Sequence, residues 1–373
     1  RYPYFQYLAE AFLHGELGLV TSPPTTHDLS LYQGRLYLYW PPFPAVLFTP
    51  LVAAFGVGVS DAPLTLAAGG LNVALVAMLL RAMDRRGIAS LSPEKRAWLT
   101  AFFALGTVHI TLAPFPRVWF TALVIGFGLS CGAYLAALWM PRSWGALLSG
   151  VLVGCGFLTR SVTLLAAIWV GWYLWRERDR VHRWSSLWTA GLWLAPIGLA
   201  VGIQGAYNLL RFGDPLETGL AYHQMSPLFQ ADYQRYGAFS LQYLPTNFFY
   251  NFVTIPYVAL FGDSPEIEFW MGGSLFLMSP VFLLAIPGCL RSWRGHGIAL
   301  AASCAAGVVP MLLLMGTGWM QFGPRYTLDI TVPLLMATAI GAASARQTLL
   351  ERLSMVSFLF YVPGAILVGI RLL

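Results

Sequence analysis

Long apolar runs separated by short polar segments make up most of the chain after its first 62 residues. Ten such runs occur, at residues 63–83, 98–113, 118–140, 144–158, 162–175, 186–210, 272–290, 298–315, 328–343 and 355–370. A helix that crosses a bilayer needs about 20 predominantly apolar residues. The pattern therefore predicts an all-α polytopic membrane protein with ten transmembrane helices, or eleven if a first one precedes residue 1.

The opening segment, residues 1–62, has a different pattern and is predicted to be the first outer loop. Residues 2–19 place apolar side chains at helical spacing opposite Glu10 and other polar residues, which is typical of a helix on a membrane surface. Residues 45–57 are apolar but too short to cross, so we expect a second interfacial helix there. The Tyr- and Trp-rich run between them fits either an interfacial aromatic belt or a wall that stacks on a sugar. A second large outer loop is expected at residues 211–271.

Composition supports the membrane assignment, and the distribution of charge predicts an orientation. The chain is 57% apolar and only 10% charged, whereas a soluble domain carries about 25% charged residues. Fourteen of the 22 Lys and Arg residues fall in one set of alternate loops, and 11 of the 16 acids fall in the other set. Because basic loops stay in the cytoplasm, we expect both large loops on the outer face of the membrane. The basic residues form short runs between apolar spans, which argues against a nucleic-acid partner.

Four arginines occur where a predicted span meets an outer loop, namely Arg117, Arg160, Arg211 and Arg325. Each alone can be explained as a side chain that extends to the membrane surface. Charge at membrane depth is costly and usually functional, however, and four arginines at one depth are harder to explain this way. Because a guanidinium matches phosphate oxygens in bidentate geometry, the set predicts a site for a phosphate-bearing lipid head group.

Several outer acids are candidates for the general base that a transfer to a hydroxyl requires. Glu10 and Asp28 belong to the first loop, and Glu217 and Asp329 lie near the predicted arginines. Each has an alternative role: Glu10 in solvation, Asp28 and Glu217 in turns or caps, and Asp329 in an i,i+4 ion pair with Arg325. A second carboxylate would serve either as an arginine partner or as a ligand of Mg²⁺ or Mn²⁺.

Other chemistry-bearing residues narrow the choice of function only slightly. The six histidines have no metal-ligand spacing, and His109 is expected either to be buried and hydrogen-bonded or to belong to the site. The four cysteines all lie inside apolar runs and are predicted to be buried thiols. The sequence contains no Walker A loop, no HExxH and no GxSxG motif, which argues against soluble nucleotide chemistry.

Five segments in order along the chain resemble the GT-C superfamily of integral-membrane glycosyltransferases. They are YLAEAFLHG (7–15), LYQGRLY running on to WPPFP (31–44), GCGFLTR (154–160), YNLLRFGDPLETG (207–219) and QFGPRYTLD (321–329). The likeness is greatest to the bacterial branch near the protein-O-mannosyltransferases and the lipid A aminoarabinose transferases. No Lys precedes Pro41-Pro42 here, so aminoarabinose as the transferred sugar is not supported.

The resemblance implies a polyprenyl-phosphate sugar as donor and a catalytic acid in the first outer loop. Glu10 is the nearest match to that acid and Asp28 the second. Together with the position of the arginines at the ends of the predicted spans, the resemblance makes Arg160, Arg211 and Arg325 the expected phosphate-binding residues. The expected supporting residues and acceptor groove are Tyr32, Arg35, Tyr37, His109, Arg117, Glu217, Gln321, Tyr326 and Asp329.

The sequence thus predicts one GT-C-like membrane domain over residues 1–373. It would move a sugar from the lipid donor to a glycan, lipid or protein acceptor, with membrane lipids around it and no certain cofactor. The alternative is a non-catalytic multi-pass subunit of a larger membrane complex built on the same fold. A transporter is less favoured, because no inverted repeat is visible.

Overall fold

A computed structural model describes residues 2–176, 183–259, 266–268, 272–318 and 321–372 of the chain. The α-helices are α1 (Tyr4–Leu13), α2 (Phe43–Phe55), α3 (Ala62–Arg85), α4 (Pro93–Leu105), α5 (Val118–Trp139), α6 (Arg142–Phe157), α7 (Thr163–Ala166), α8 (Ile168–Arg176), α9 (Arg183–Phe212), α10 (Pro227–Tyr236), α11 (Leu244–Phe248), α12 (Leu275–Met278), α13 (Ala285–Arg291), α14 (Ile298–Leu313), α15 (Thr331–Ser344) and α16 (Gln347–Leu372). Two antiparallel hairpins pair β1 (Ser30–Tyr32) with β2 (Arg35–Tyr37) and β3 (Tyr257–Ala259) with β4 (Glu266–Glu268).

The prediction of an all-α polytopic membrane protein is confirmed at the level of helix content and length. Within the described ranges, six helical stretches are long and apolar enough to cross a membrane. They are Ala62–Arg85, Val118–Trp139, Ser186–Phe212, Trp293–Leu313, Arg325–Ser344 and Gln347–Ile370. Each coincides with one of the ten predicted runs, because length and hydrophobicity are local properties of the sequence.

The other four predicted runs are helical, but they are short or interrupted. α4 ends at Leu105, and a separate 3₁₀ turn follows at Val108–Thr111. The run at 162–175 is divided between α7 and α8, and the run at 272–290 between α12, a 3₁₀ turn and α13. Pro280 begins that turn, since proline lacks the N–H that a continuing helix needs. The described residues therefore contain six continuous candidate spans, where the sequence predicts ten or eleven.

Helices α5 and α15 form the interior of the bundle, and α9 lies at its edge. In the most apolar part of each candidate span, 83% of the residues are buried for α5 and 89% for the span that contains α15. For α9 the share is 17%. Helix α6 packs between α5 and α9, and α15 packs against α13 and α14. A Cβ added at Gly341 would overlap the carbonyl of Leu284, so a small residue is required where these backbones approach.

The first loop is a folded layer in which the two predicted helices pack on each other. The predicted interfacial helices are present as α1 and α2, but the apolar face of α1 packs inward against α2. Tyr4 and Leu8 on that face are completely buried. The Tyr-rich run forms the β1–β2 hairpin, whose turn residues Gln33 and Gly34 both have positive φ. That backbone conformation is typical of a two-residue hairpin turn.

Candidate functional site

A cavity of about 540 Å³ lies where several interhelical loops meet. The first loop, the turns before α5 and after α6, the segment after α9, and the end of α14 with the following turn all contribute to it. The polar residues that line it include His27, Asp28, Tyr39, Arg117, Arg160, Gln204, His223, Arg325, Tyr326 and Asp329. The structure thus brings together loops that are far apart in the sequence, as the sequence predicts for a site formed with the first loop.

Asp28 is the first-loop acid that lines the cavity. Its backbone has φ of 66°, a left-handed conformation that is uncommon outside glycine but enriched in aspartate. Its backbone N–H donates to the carbonyl of Gln224 at 3.3 Å. The Asp28 side chain is 15% exposed, and its Oδ1 lies 3.5 Å from Nε2 of His27 and 3.4 Å from Nε2 of His223. A single carboxylate is therefore held between two imidazoles at the cavity wall.

His223 is a site residue that the sequence analysis did not identify. Its side chain is 6% exposed; Nε2 faces the carboxylate of Asp28, and Nδ1 has no hydrogen-bond partner among the described residues. The ring of Tyr39 packs edge-on against it, with centroids 4.6 Å apart. A buried nitrogen without a partner is costly, so this side chain is suited to contact a polar group of a ligand.

Backbone pairing explains how His223 reaches Asp28. Ser30 and His223 form an antiparallel bridge, and the N–H of Gln224 donates to the carbonyl of Leu29 at 2.8 Å. The hydroxyl of Ser30 also donates to the carbonyl of Gly219 at 2.7 Å. No local sequence signal predicts this contact, because nearly 200 residues separate the two paired segments.

Arg160 and Asp329 form a buried bidentate ion pair in the cavity wall. Nε and Nη2 of Arg160 donate to Oδ1 and Oδ2 of Asp329 at 2.7 and 2.6 Å. The rings of Trp40 and Tyr326 flank the guanidinium at 5.6 and 5.7 Å. Asp329 therefore pairs with Arg160 rather than with Arg325, the local partner considered from the sequence.

Arg117 and Arg325 bring two further cations to the cavity. The guanidinium of Arg325 lies 4.9 Å from the ring centroid of Tyr326, and that of Arg117 lies 5.7 Å from that of Tyr2. Burial lowers the pKa of Arg117, and the positive charge of Arg325 lowers it further. Two guanidinium groups close enough to repel each other form a region that an anion would stabilise.

Arg211 does not line the cavity, although it lies at the end of an apolar run in the sequence, as Arg160 does. It donates to the backbone carbonyl of Leu38 at 2.8 Å and to Oδ1 of Asn208 at 2.9 Å. Its guanidinium stacks on the rings of Tyr207 and Phe212 at 3.7 and 4.7 Å. The hydrogen bond to Leu38 connects the end of α9 to the first loop, so Arg211 has a structural role.

Glu10 is also separated from the cavity. It lies on α1, where its Oε2 is buried and has no hydrogen-bond partner among the described residues, but it is not a lining residue. Glu217 Oε1 accepts a hydrogen bond from the N–H of Gly219 at 2.6 Å. Glu217 thus stabilises a turn, which is the alternative to catalysis that its sequence position suggested. Of the candidate bases in the first loop, only Asp28 faces the arginines.

The remaining predicted supporting residues lie around the cavity rather than in it. Tyr32 and Tyr37 pack on Phe212, at 5.5 and 5.3 Å. Arg35 forms an exposed ion pair with Glu16 at 3.1 Å. Two others are buried in the helix bundle: His109 packs against Phe103 with its Nε2 3.4 Å from Asn72, and Gln321 donates to the carbonyl of Thr317 at 2.8 Å. Only Arg117, Tyr326 and Asp329 of that predicted group line the cavity.

A divalent cation has no ready-made protein site in the part of the chain that the structure describes. No group of three or more His, Cys, Asp or Glu side chains is arranged there to hold a metal ion. The sulfur ligands are also unsuitable, because the four cysteines are at least partly buried within helices away from the cavity.

Comparisons of this chain with protein-family models, with curated proteins and with solved structures gave no match. The likeness to GT-C glycosyltransferases therefore depends on the five sequence segments alone. Four of those segments contribute residues to the cavity, including Trp40, Arg160, Thr218 and Arg325. Glu10 in the first segment and Arg211 in the fourth lie outside it.

Proposed function

We propose that this protein is a membrane glycosyltransferase that moves a sugar from a polyprenyl-phosphate donor to an acceptor hydroxyl in this cavity. The supporting observation is that one carboxylate, Asp28, shares the cavity with guanidinium groups from three different loops. Transfer from a lipid phosphate needs both a base for the acceptor and cationic groups for the leaving phosphate. The proposed location is the outer face of a bacterial inner membrane, because the charge distribution predicts the outer face and the resemblance implies a bacterial protein.

The proposed reaction is an inverting displacement at the anomeric carbon. The acceptor oxygen forms a bond to that carbon while its proton passes to the carboxylate of Asp28. The bond from the anomeric carbon to the phosphate oxygen breaks, and its electron pair stays on the polyprenyl phosphate. Arg117 and Arg325 would stabilise the negative charge that develops on this leaving group, because oriented cations in a site with little water interact strongly with it.

The pair of Arg160 and Asp329 gives the site a fixed polar wall. A carboxylate that binds the guanidinium bidentately sets its plane, and the rings of Trp40 and Tyr326 restrict it further. Arg160 would thus direct its remaining donors to the phosphate without rearrangement during the reaction. Asp329 partly neutralises the charge of Arg160, and Arg117 and Arg325 would add further positive charge for the phosphate.

Tyr39 would act as a hydrogen-bond donor in the same site. Burial raises the pKa of its hydroxyl well above the usual value, and the negative charge of Asp28 raises it further. The hydroxyl therefore stays protonated at physiological pH and can donate to a substrate oxygen. Its ring also holds His223 in place beside Asp28.

The test measures release and transfer of radiolabelled sugar from a set of polyprenyl-phosphate sugars by the purified full chain in lipid nanodiscs. Asp28→Asn should lower kcat by about 10²–10⁴-fold, as expected for loss of a general base, while binding of the lipid donor is retained. Glu10→Gln is the matched control in the same loop and should remain close to the wild type. The opposite ranking of the two variants would contradict the assignment of Asp28.

The non-catalytic alternative predicts a different result in the same assay. A subunit of a larger complex would release no sugar from any donor, even when folded and reconstituted. The buried ion pair of Arg160 and Asp329 would then only stabilise the contact between two loops. Absence of turnover with every donor would therefore favour the subunit.

A further inference from the structure

One stretch of the second large outer loop has the composition of a membrane-embedded segment. Residues 236–262 contain no Asp, Glu, Lys, Arg or His. The part that the structure describes forms a 3₁₀ turn at Leu241–Tyr243, helix α11 and a π turn at Phe249–Val253. These elements are far too short to cross a bilayer, so the absence of charge needs another explanation.

The same stretch exposes an unusual number of large apolar side chains. The exposed residues are Phe239 (59%), Leu241 (74%), Leu244 (38%), Phe248 (49%), Phe249 (48%), Val253 (47%) and Ile255 (43%). Soluble surfaces rarely carry contiguous apolar patches of this kind, and those that occur usually mark an interaction site. We refer to residues 239–255 as the apolar sill.

Hydrogen bonds to α14 fix the position of the apolar sill relative to the C-terminal end of that helix. The buried side-chain amide of Asn247 donates to the carbonyls of Met311, Leu312 and Leu314, at 3.3, 2.9 and 2.8 Å. Carbonyls at a helix C-terminus lack intrahelical partners and are costly to leave unsatisfied in lipid. Because α14 belongs to a candidate membrane span, the sill is held where that helix leaves the membrane.

The sill also forms one edge of the cavity. The N–H of Ser240 donates to the carbonyl of Leu313 at 2.9 Å, and that of Met315 donates to the carbonyl of Ala238 at 2.8 Å. Phe239 and Leu314 pair across this edge, and both line the cavity. Phe239 is therefore both a cavity residue and an exposed residue.

We propose that the apolar sill lies in the interfacial layer of the phospholipid bilayer and forms the edge across which a lipid chain enters the cavity. Amphipathic segments at this level insert their apolar side chains to the boundary between head groups and acyl chains. The membrane contact goes beyond the proposed glycosyl transfer and does not depend on it, whereas entry of a polyprenyl chain rests on that proposed function.

Photocrosslinking tests the membrane contact without any measurement of activity. The full chain carries p-benzoylphenylalanine in place of Leu241 or Phe248 and is reconstituted in phosphatidylethanolamine and phosphatidylglycerol vesicles. Gln234, an exposed residue on α10 in the same loop, is the matched control. After irradiation, phospholipid adducts detected by mass spectrometry should exceed those of the control by about tenfold at both positions. Equal labelling at all three positions would overturn the proposal.

A second label at Phe239 tests the access route. We expect phospholipid adducts at this position in plain vesicles and polyprenyl adducts once a decaprenyl phosphate is added. The label at Phe248 faces the bilayer and should keep its phospholipid adducts in both mixtures. If the label at Phe239 never captures the polyprenyl chain, the route across the sill is wrong.

Discussion

Arg160 and Arg211 occupy equivalent positions in the sequence but serve different parts of the molecule. Both lie at the end of an apolar helix, Arg160 just after α6 and Arg211 in the last turn of α9, and both are buried, with 9% and 4% exposure. Arg160 binds a carboxylate at the cavity wall, whereas Arg211 binds a backbone carbonyl of the first loop outside the cavity. The comparison shows that a buried arginine at membrane depth marks a strong interaction, but its partner decides whether it belongs to the site.

The largest effect is expected from breaking the pair at the cavity. Asp329→Ala leaves the buried guanidinium of Arg160 without its carboxylate, which should lower the free energy of unfolding by about 3–5 kcal/mol. Thermal unfolding in detergent micelles measures the change. The double variant Arg160→Met/Asp329→Leu should recover most of the stability but no sugar transfer. If the single and double variants are equally unstable, the pair is not the source of the effect.

Removal of Arg211 is expected to have a smaller effect, and on stability alone. Arg211→Ala loses the hydrogen bond to the carbonyl of Leu38 and leaves that buried acceptor unsatisfied, which should cost about 1–3 kcal/mol. The affinity for a fluorescent polyprenyl phosphate should stay within about twofold of the wild type, because Arg211 does not line the cavity. A selective loss of that affinity in a stably folded variant would place Arg211 in the site after all.

Substitution of Arg325 is expected to weaken binding of the polyprenyl phosphate. Arg325→Lys keeps the positive charge but loses the planar fork that suits phosphate, and it should weaken binding of the polyprenyl phosphate about tenfold. Arg235→Lys on α10 is the matched control, since that residue is exposed and outside the cavity. Equal affinities of the two variants would remove Arg325 from the proposed phosphate site.

The smallest effect is expected from the exposed ion pair of the β1–β2 hairpin. Arg35 and Glu16 are 57% and 43% exposed, and such pairs contribute about 0–1 kcal/mol. Arg35→Gln should therefore change neither the unfolding temperature nor the rate of sugar release measurably. A clear loss of turnover would show that the hairpin contacts the acceptor, as its sequence suggested.

Local sequence pattern located the helices well, because each helix depends on its own length, hydrophobicity and breakers. The apolar runs coincide with helical segments, and all six continuous spans are among the ten predicted runs. Where Pro280 and the turn at residues 108–111 interrupt the helices, the sequence pattern overestimated their continuity. Pattern identifies apolar runs better than it identifies breaks inside them.

The composition of the site could be predicted only in part. The sequence indicated arginines at helix ends and an acid in the first loop, and Asp28, Arg160 and Arg325 do share a cavity. It ranked Glu10 first, however, because nothing local shows that α1 carries Glu10 away from the arginines. His223 was not identified at all, since its contact with Asp28 depends on pairing between distant segments.

The sequence by itself determined that this is a helical membrane protein with basic residues on one set of loops and acids on the other. Hydrophobic length and charge distribution act locally, so they can be recognised without knowledge of any contact. Only the tertiary structure decided that Asp329 binds Arg160, that His223 lies against Asp28 and that Arg211 holds the first loop. These choices depend on which distant side chains packing brings within about 3 Å of each other, the range in which hydrogen bonds form.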